Sequence, residues 1–234
     1  MSGTIREQSF GGVVSVDDQR VYVQKVYAWM VGGLLTTGMT AWFVANTPAL
    51  LAAIVGTPLF YLFLFAPVIM VWVLSARVDK MKASTAIGIF FAYALTNGLT
   101  FSLLFLVYDL GSIAQVFAIT AGMYGVTAAY GYLTKRDLTG VGGFMSMGLI
   151  GLIIAMVVNM FLGSPFIDWA ISIIGVIVFT GLTAYDMQRI KNDYVLQYEG
   201  KSVATKGAIM GALSLYLDFV NLFLFLLRLL GNRR

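Results

Sequence analysis

The chain has no cysteine and no histidine. Those absences remove disulfides, thiol chemistry and the usual zinc sites. They also remove any Ser-His or Cys-His catalytic pair, and the chain reads as a non-enzyme without a bound cofactor. Charge is scarce as well. Only 11% of the 234 residues are charged, while 59% are hydrophobic. A soluble globular protein carries about 25% charged residues. Too few polar residues are present to cover a water-facing surface, so the expected class is an all-α polytopic membrane protein whose main partner is the lipid bilayer. The net charge of +4 is mild, and the basic residues lie in short loops. That pattern points to membrane topology and away from nucleic acid. Residues 1–25 are polar and mixed in charge. They lack the basic start and short apolar core of a cleavable signal. They read as a cytoplasmic N-terminal arm, flexible at Gly11-Gly12, ahead of a single transmembrane domain over 26–234.

A helix needs about 20 apolar residues to cross ~30 Å of hydrocarbon. Seven stretches qualify: 26–46, 56–75, 84–108, 112–133, 141–162, 166–186 and 208–230. Their connections are short and leave no room for a soluble domain. No internal repeat is evident, which disfavours an inverted-repeat transporter. Basic residues alternate between loops. Arg6, Arg20 and Lys25 precede the first span, and Arg77, Lys80 and Lys82 follow the second. Lys135 and Arg136 follow the fourth, and Arg189, Lys191, Lys201 and Lys206 follow the sixth. The intervening loops, near 46–56, 109–112 and 163–166, have none. That alternation places the N-terminus in the cytoplasm. Arg228, Arg233 and Arg234 break the pattern, since seven crossings put them outside. A re-entrant last segment is the other option, but 212–230 contains no Gly or Pro to break a helix. Unpaired backbone in lipid is costly, so a full crossing is expected.

Small residues recur inside the spans, at Gly32-Gly33, Gly38, Gly122, Gly125, Gly148, Gly151, Gly175 and Gly181. Close helix packing is the plain reading. In the last span, a step of 100° per residue gathers Gly207, Gly211, Ser214, Asp218, Asn221 and Phe225 on one side. A helix that shows its neighbours a small, polar stripe is expected to be central in a bundle. Asp218 lies about 16 Å along that helix from Gly207, near mid-membrane if the helix starts there. Intramembrane carboxylates are rare and usually mark ion paths or proton relays. The bland alternative is an Asp that bonds a neighbouring helix and is otherwise silent. Asp186 closes the sixth span, where a solvated charge is common. Arg77 ends the second span, where a snorkelling arginine is the plain reading and a counter-ion the functional one.

Three stretches carry a resemblance. "SLYLDFVNLFLFLLRLLGNRR" at 214–234, "GLTAYDMQRIKN" at 181–192 and "YGYLTKRDLTG" at 130–140 resemble the Bax inhibitor-1 family, and its bacterial inner-membrane branch in particular. The resemblance runs from about Gln24 onward. It implies seven helices with the last enclosed by the other six. It also implies a pH-sensitive calcium leak controlled by two aspartates, which by motif are Asp186 and Asp218. Arg77 matches the family's counter-ion. The family further includes regulators of other membrane proteins, such as an inner-membrane protease in bacteria. A non-conducting regulator that binds such a partner is therefore the second reading.

Two carboxylates in contact cannot both ionise cheaply and come to share a proton. Such a pair can titrate in the cellular pH range without histidine. The expected device is a latch: the shared proton holds the last two helices together, and its loss frees the carboxylates. Calcium, a hard cation, takes oxygen ligands, so Asp186 and Asp218 are also the candidate transient calcium contacts, supported by Ser214 and Asn221. A helix ruler counted from Gly207 places the two Asp residues about 10–16 Å apart in depth. An aspartyl intramembrane protease also uses a Tyr-Asp, but its second motif is Gly-x-Gly-Asp followed by Pro-Ala-Leu. Here the second motif is "LYLD", and "PAL" occurs at 48–50, after the first span. A retinal pigment needs a lysine in the last helix, and none follows Lys206. A proton-coupled transporter would use the same acids and also a substrate pocket.

Overall fold

The computed structural model describes residues 16–54, 57–196 and 201–234. In hydrocarbon a backbone has no hydrogen-bond partner but itself, and the apolar stretches fold as helices accordingly. They are α1 (Val16–Ala45), α2 (Pro48–Ile54), α3 (Leu59–Arg77), α4 (Ala83–Phe101), α5 (Leu104–Val107), α6 (Leu110–Leu133), α7 (Thr139–Leu162), α8 (Pro165–Leu196) and α9 (Lys201–Leu230). A 3₁₀ turn at Val78–Lys80 follows α3. Gly163 ends α7 with φ +62°, the left-handed position that favours glycine.

Among the described residues, six helices are long and apolar enough to cross a membrane: Gln19–Ala45, Ala83–Val107, Leu110–Leu133, Thr139–Leu162, Pro165–Asp193 and Val203–Leu230. The expected span at 56–75 corresponds to α3, which is not one of the six; several of its side chains lie outside the described residues. Of the arm expected over 1–25, residues 1–15 lie outside the described residues and 16–25 are already the first turns of α1.

Hydrogen bonds collect the basic segments at one end of the bundle. Lys25 Nζ meets Thr205 Oγ1 at 2.9 Å, and Lys206 Nζ donates to Asp79 O at 2.9 Å. Lys191 Nζ donates to Tyr132 O at 2.8 Å. Gln188 takes the Leu138 N–H on Oε1 and donates from Nε2 to Arg136 O. The chain's last residues close the opposite end. Asp109 N–H donates to Asn232 O, Arg234 N–H donates to Val107 O, and Asn232 N–H donates to Ser112 Oγ. The tail arginines that broke the charge pattern have acidic partners there: Arg234 with Asp109 at 3.7 Å and Arg228 with Asp168 at 3.6 Å.

α9 is the most buried of the six. Ala208, Ile209, Ala212, Leu215, Tyr216 and Leu222 show no exposed surface, and the helix packs on α1, α4, α6 and α8. Tyr216 stands edge-on to Phe90 and Tyr93. Its hydroxyl bonds Thr37 Oγ1 at 2.7 Å, and Thr37 also reaches Ala94 O at 2.9 Å. One polar chain thus joins α1, α4 and α9. α7, in contrast, turns Met147, Ile150, Ile154, Met160 and Phe161 outward, as a lipid-facing helix does. The glycines divide. A Cβ at Gly33, Gly175 or Gly181 would strike Phe90, Phe225 or Met145, so close packing explains these. Gly38, Gly122, Gly125 and Gly151 face open space, and packing does not explain them.

Candidate functional site

Asp186 and Asp218 come from the two longest-packed neighbours, α8 and α9. Each helix is longer than the bilayer requires. At 32 and 30 residues they measure about 48 and 45 Å, against ~30 Å of hydrocarbon. α8 runs ten residues past Asp186, because "MQRIKN" keeps its helical hydrogen bonds after hydropathy falls. α9 likewise begins at Lys201, before the apolar run. The depth separation counted from Gly207 therefore does not hold. Gly175 sits against Phe225, and Gly211 against Ile190. That antiparallel register puts Asp218 level with about position 183 of α8, roughly one turn (~5 Å) from Asp186.

Both carboxylates line one cavity of about 430 Å³, together with Ser146, Tyr185, Arg189, Ser214, Leu217 and Asn221. Asp218 is 4% exposed, and its Oδ2 has no hydrogen-bond partner among the described residues. Asp186 is better supplied. Arg189 Nη1 lies 3.5 Å from Asp186 Oδ1, and Arg189 Nη2 donates to Ser214 Oγ at 3.1 Å. Arg189 also reaches Asp193 at 3.9 Å. One guanidinium thus bridges α8 to α9 beside the two acids. Asn221 turns its amide to Leu217 O at 2.8 Å and stands in the cavity wall.

Arg77 is exposed at the end of α3, and no ion pair joins it to either aspartate among the described residues. The guanidinium at Asp186 is Arg189's. Its sequence signal was the i, i+3 spacing in "DMQR", which places the two side chains on one helix face; the charge count had absorbed it as topology. Gly142 was also missed. A Cβ there would enter the Tyr185 ring, so the glycine lets α7 close over the residue beside Asp186. Among the described residues no cluster of three or more His, Cys, Asp or Glu could hold a metal ion.

The fold and site define a helical membrane protein with two carboxylates on adjacent helices lining one cavity. Residues 19–234 match the family described as "Inhibitor of apoptosis-promoting Bax1", and the chain belongs to this Bax inhibitor-1 family. It is similar to the inner membrane protein YbhL of Escherichia coli (strain K12), with 46% identity over 217 residues covering 92% of this chain and 93% of that protein. It is also similar to the uncharacterized protein RP147 of Rickettsia prowazekii, with 42% identity over 92% of this chain and 91% of that protein. A Deinococcus radiodurans protein, also uncharacterized, is 38% identical over 94% of both chains.

Proposed function

We propose that the protein is a pH-sensitive calcium leak of the bacterial inner membrane, gated by a proton shared between Asp186 and Asp218. The observation that carries this reading is the common cavity, which Asp186 and Asp218 enter from two different helices. With the proton, a carboxyl–carboxylate hydrogen bond holds α8 to α9. Without it the carboxylates repel; Arg189 keeps Asp186 and leaves Asp218 to a cation. Calcium suits these oxygen ligands, and the protonated state is the closed one. Localisation follows from the likeness to YbhL, an inner membrane protein.

The topology belongs to the same proposal: seven crossings, α9 at the centre, and the N-terminus in the cytoplasm. α3 is the added crossing. Its 19 residues span about 28 Å, and it ends near Asp79, which accepts from Lys206 at the basic end. The basic end faces the cytoplasm by the positive-inside rule. Calcium flux into liposomes across pH 5–8 tests the function. Flux that changes with pH in the wild type and not in the Asp186→Asn, Asp218→Asn protein supports it. An unchanged profile in the double variant contradicts it.

A further inference from the structure

A groove of about 570 Å³ runs between α1 and α6, with Phe219 of α9 as its floor. It shares no lining residue with the aspartate cavity. Its α1 wall extends from Tyr27 to Trp42, about 22 Å of rise. Val31, Leu35, Met39 and Trp42 are exposed along that wall, so the groove opens sideways, toward the bilayer. None of its lining residues is charged. Its size falls within the roughly 300–1,000 Å³ of small-molecule sites.

The end nearer the basic segments is not wholly apolar, because Tyr27 and Tyr124 line it. Each hydroxyl has a thioether as its hydrogen-bond partner. Tyr124 donates to Met30 Sδ at 3.5 Å, and Tyr27 donates to Met187 Sδ at 3.6 Å. Sulfur is a weak acceptor, whereas the hydroxyl of a buried tyrosine usually finds a full partner. Tyr124 is only 4% exposed, so bulk water does not supply one. Met30 is part of the groove wall, and a methionine side chain is flexible enough to give up its place. A carbonyl oxygen brought there replaces a weak acceptor with a strong one.

We propose that this groove binds an uncharged, long-chain lipophile drawn from the bilayer, with a carbonyl head at Tyr27 and Tyr124 and the chain running toward Trp42. The head is uncharged because no lining residue could pair with a charge, and an unpaired charge in a dry site is costly. Depth agrees with this. The α1 span of 27 residues measures about 40 Å, the thickness of a bilayer with both interfaces. Tyr27 comes eight residues after its start at Gln19, about 12 Å in. The interfacial layer that holds phosphate groups is about 5–8 Å thick, so the hydroxyls lie below the head of a phospholipid. The site also gives Gly38 a role that helix packing does not. Gly38 lines the groove, and a Cβ there would meet only open space. The proposal does not depend on the calcium reading.

The test uses the purified full chain in phosphatidylcholine nanodiscs and a methyl hexadecanoate that carries a diazirine and an alkyne in its chain. Photolabelling is expected to saturate with the mole fraction of probe, against the excess of phospholipid, and to fall on α1 and α6. Unlabelled methyl hexadecanoate is expected to displace the probe at least about fivefold better than hexadecane, the fold-change of one neutral hydrogen bond. Gly38→Leu fills the groove and is expected to abolish the saturable labelling. Gly151→Leu, on the outward side of α7 and equally free of neighbours, is expected to leave it unchanged. In the Tyr27→Phe, Tyr124→Phe protein the ester is expected to lose its advantage over hexadecane. Wild-type labelling that rises without saturation overturns the site, as does unchanged labelling of a monodisperse Gly38→Leu protein. Hexadecane that competes as well as the ester in the wild type overturns the carbonyl head, whatever becomes of the tyrosine variant.

Discussion

Across one cavity, Asp218 faces an Asp186 whose Oδ1 already has the Arg189 guanidinium at 3.5 Å. The two acids are chemically alike and electrostatically unlike. Asp186 belongs to a network with Arg189, Ser214 and Asp193. Asp218 is buried, and its Oδ2 has no hydrogen-bond partner among the described residues. A buried carboxylate costs several kcal/mol unless paired, and a proton or a cation at this position would offset that cost.

Arg189 is the first test of that asymmetry. Removing a positive charge beside a carboxylate favours the protonated form. Arg189 is 43% exposed, so screening limits the effect. Arg189→Gln is expected to move the midpoint of the flux–pH curve upward by about one unit. Arg77→Gln is expected to leave the midpoint in place. A shift with Arg77→Gln and none with Arg189→Gln would assign the counter-ion role to Arg77.

Gly131 tests the packing under the site. A Cβ there would collide with the Ala184 carbonyl of α8, two residues before Asp186. Backbone cannot yield as a side-chain tip can. Gly131→Ala is expected to cost about 1–3 kcal/mol, read as a lower melting temperature in detergent. Gly122→Ala, which meets nothing within 4 Å, is expected to hold or raise it through the better helix propensity of alanine.

Tyr216→Phe keeps the ring between Phe90 and Tyr93 and removes the 2.7 Å bond to Thr37. One buried hydrogen bond contributes about 1 kcal/mol, and the expected loss of stability is of that size. A thermal melt unchanged by Tyr216→Phe would show that the hydroxyl is not part of what joins α9 to α1.

How much of this could be read from the sequence depends on the residue. Six of the seven apolar spans and the polar stripe of α9 were legible, because hydropathy and a 100° step report them directly. The ends of α8 and α9 were not. A hydropathy window stops at "YDMQRIKN", whereas the helix continues to Leu196 on backbone bonds that do not depend on lipid. That difference made Asp186 and Asp218 look far apart in depth. The tail arginines looked anomalous for a related reason: Asp109 and Asp168, their partners, are distant in sequence. Gly131 and Gly142 acquire meaning only from the helix packed against each.

Asp137 supplies a check on where pH acts. It lies in the turn between α6 and α7, where its carboxylate accepts from the Thr139 hydroxyl at 2.6 Å and the Thr139 N–H at 2.9 Å. Those bonds favour the charged form and hold its carboxyl below the usual carboxylate range. A group depressed in this way contributes above its unfolded value and is lost only as pH falls through the lower folded one. Between pH 5 and 8 it stays charged. Asp137→Asn is expected to leave the flux–pH midpoint unchanged, and a displaced midpoint would show that the turn takes part in gating.

The most direct measurement is calcium flux through the purified protein in liposomes across pH 5–8, wild type beside the Asp186→Asn, Asp218→Asn variant. The expected result is a flux that rises as pH rises in the wild type and is flat with pH in the variant. A variant that keeps the wild-type pH profile would contradict the shared proton as the gate.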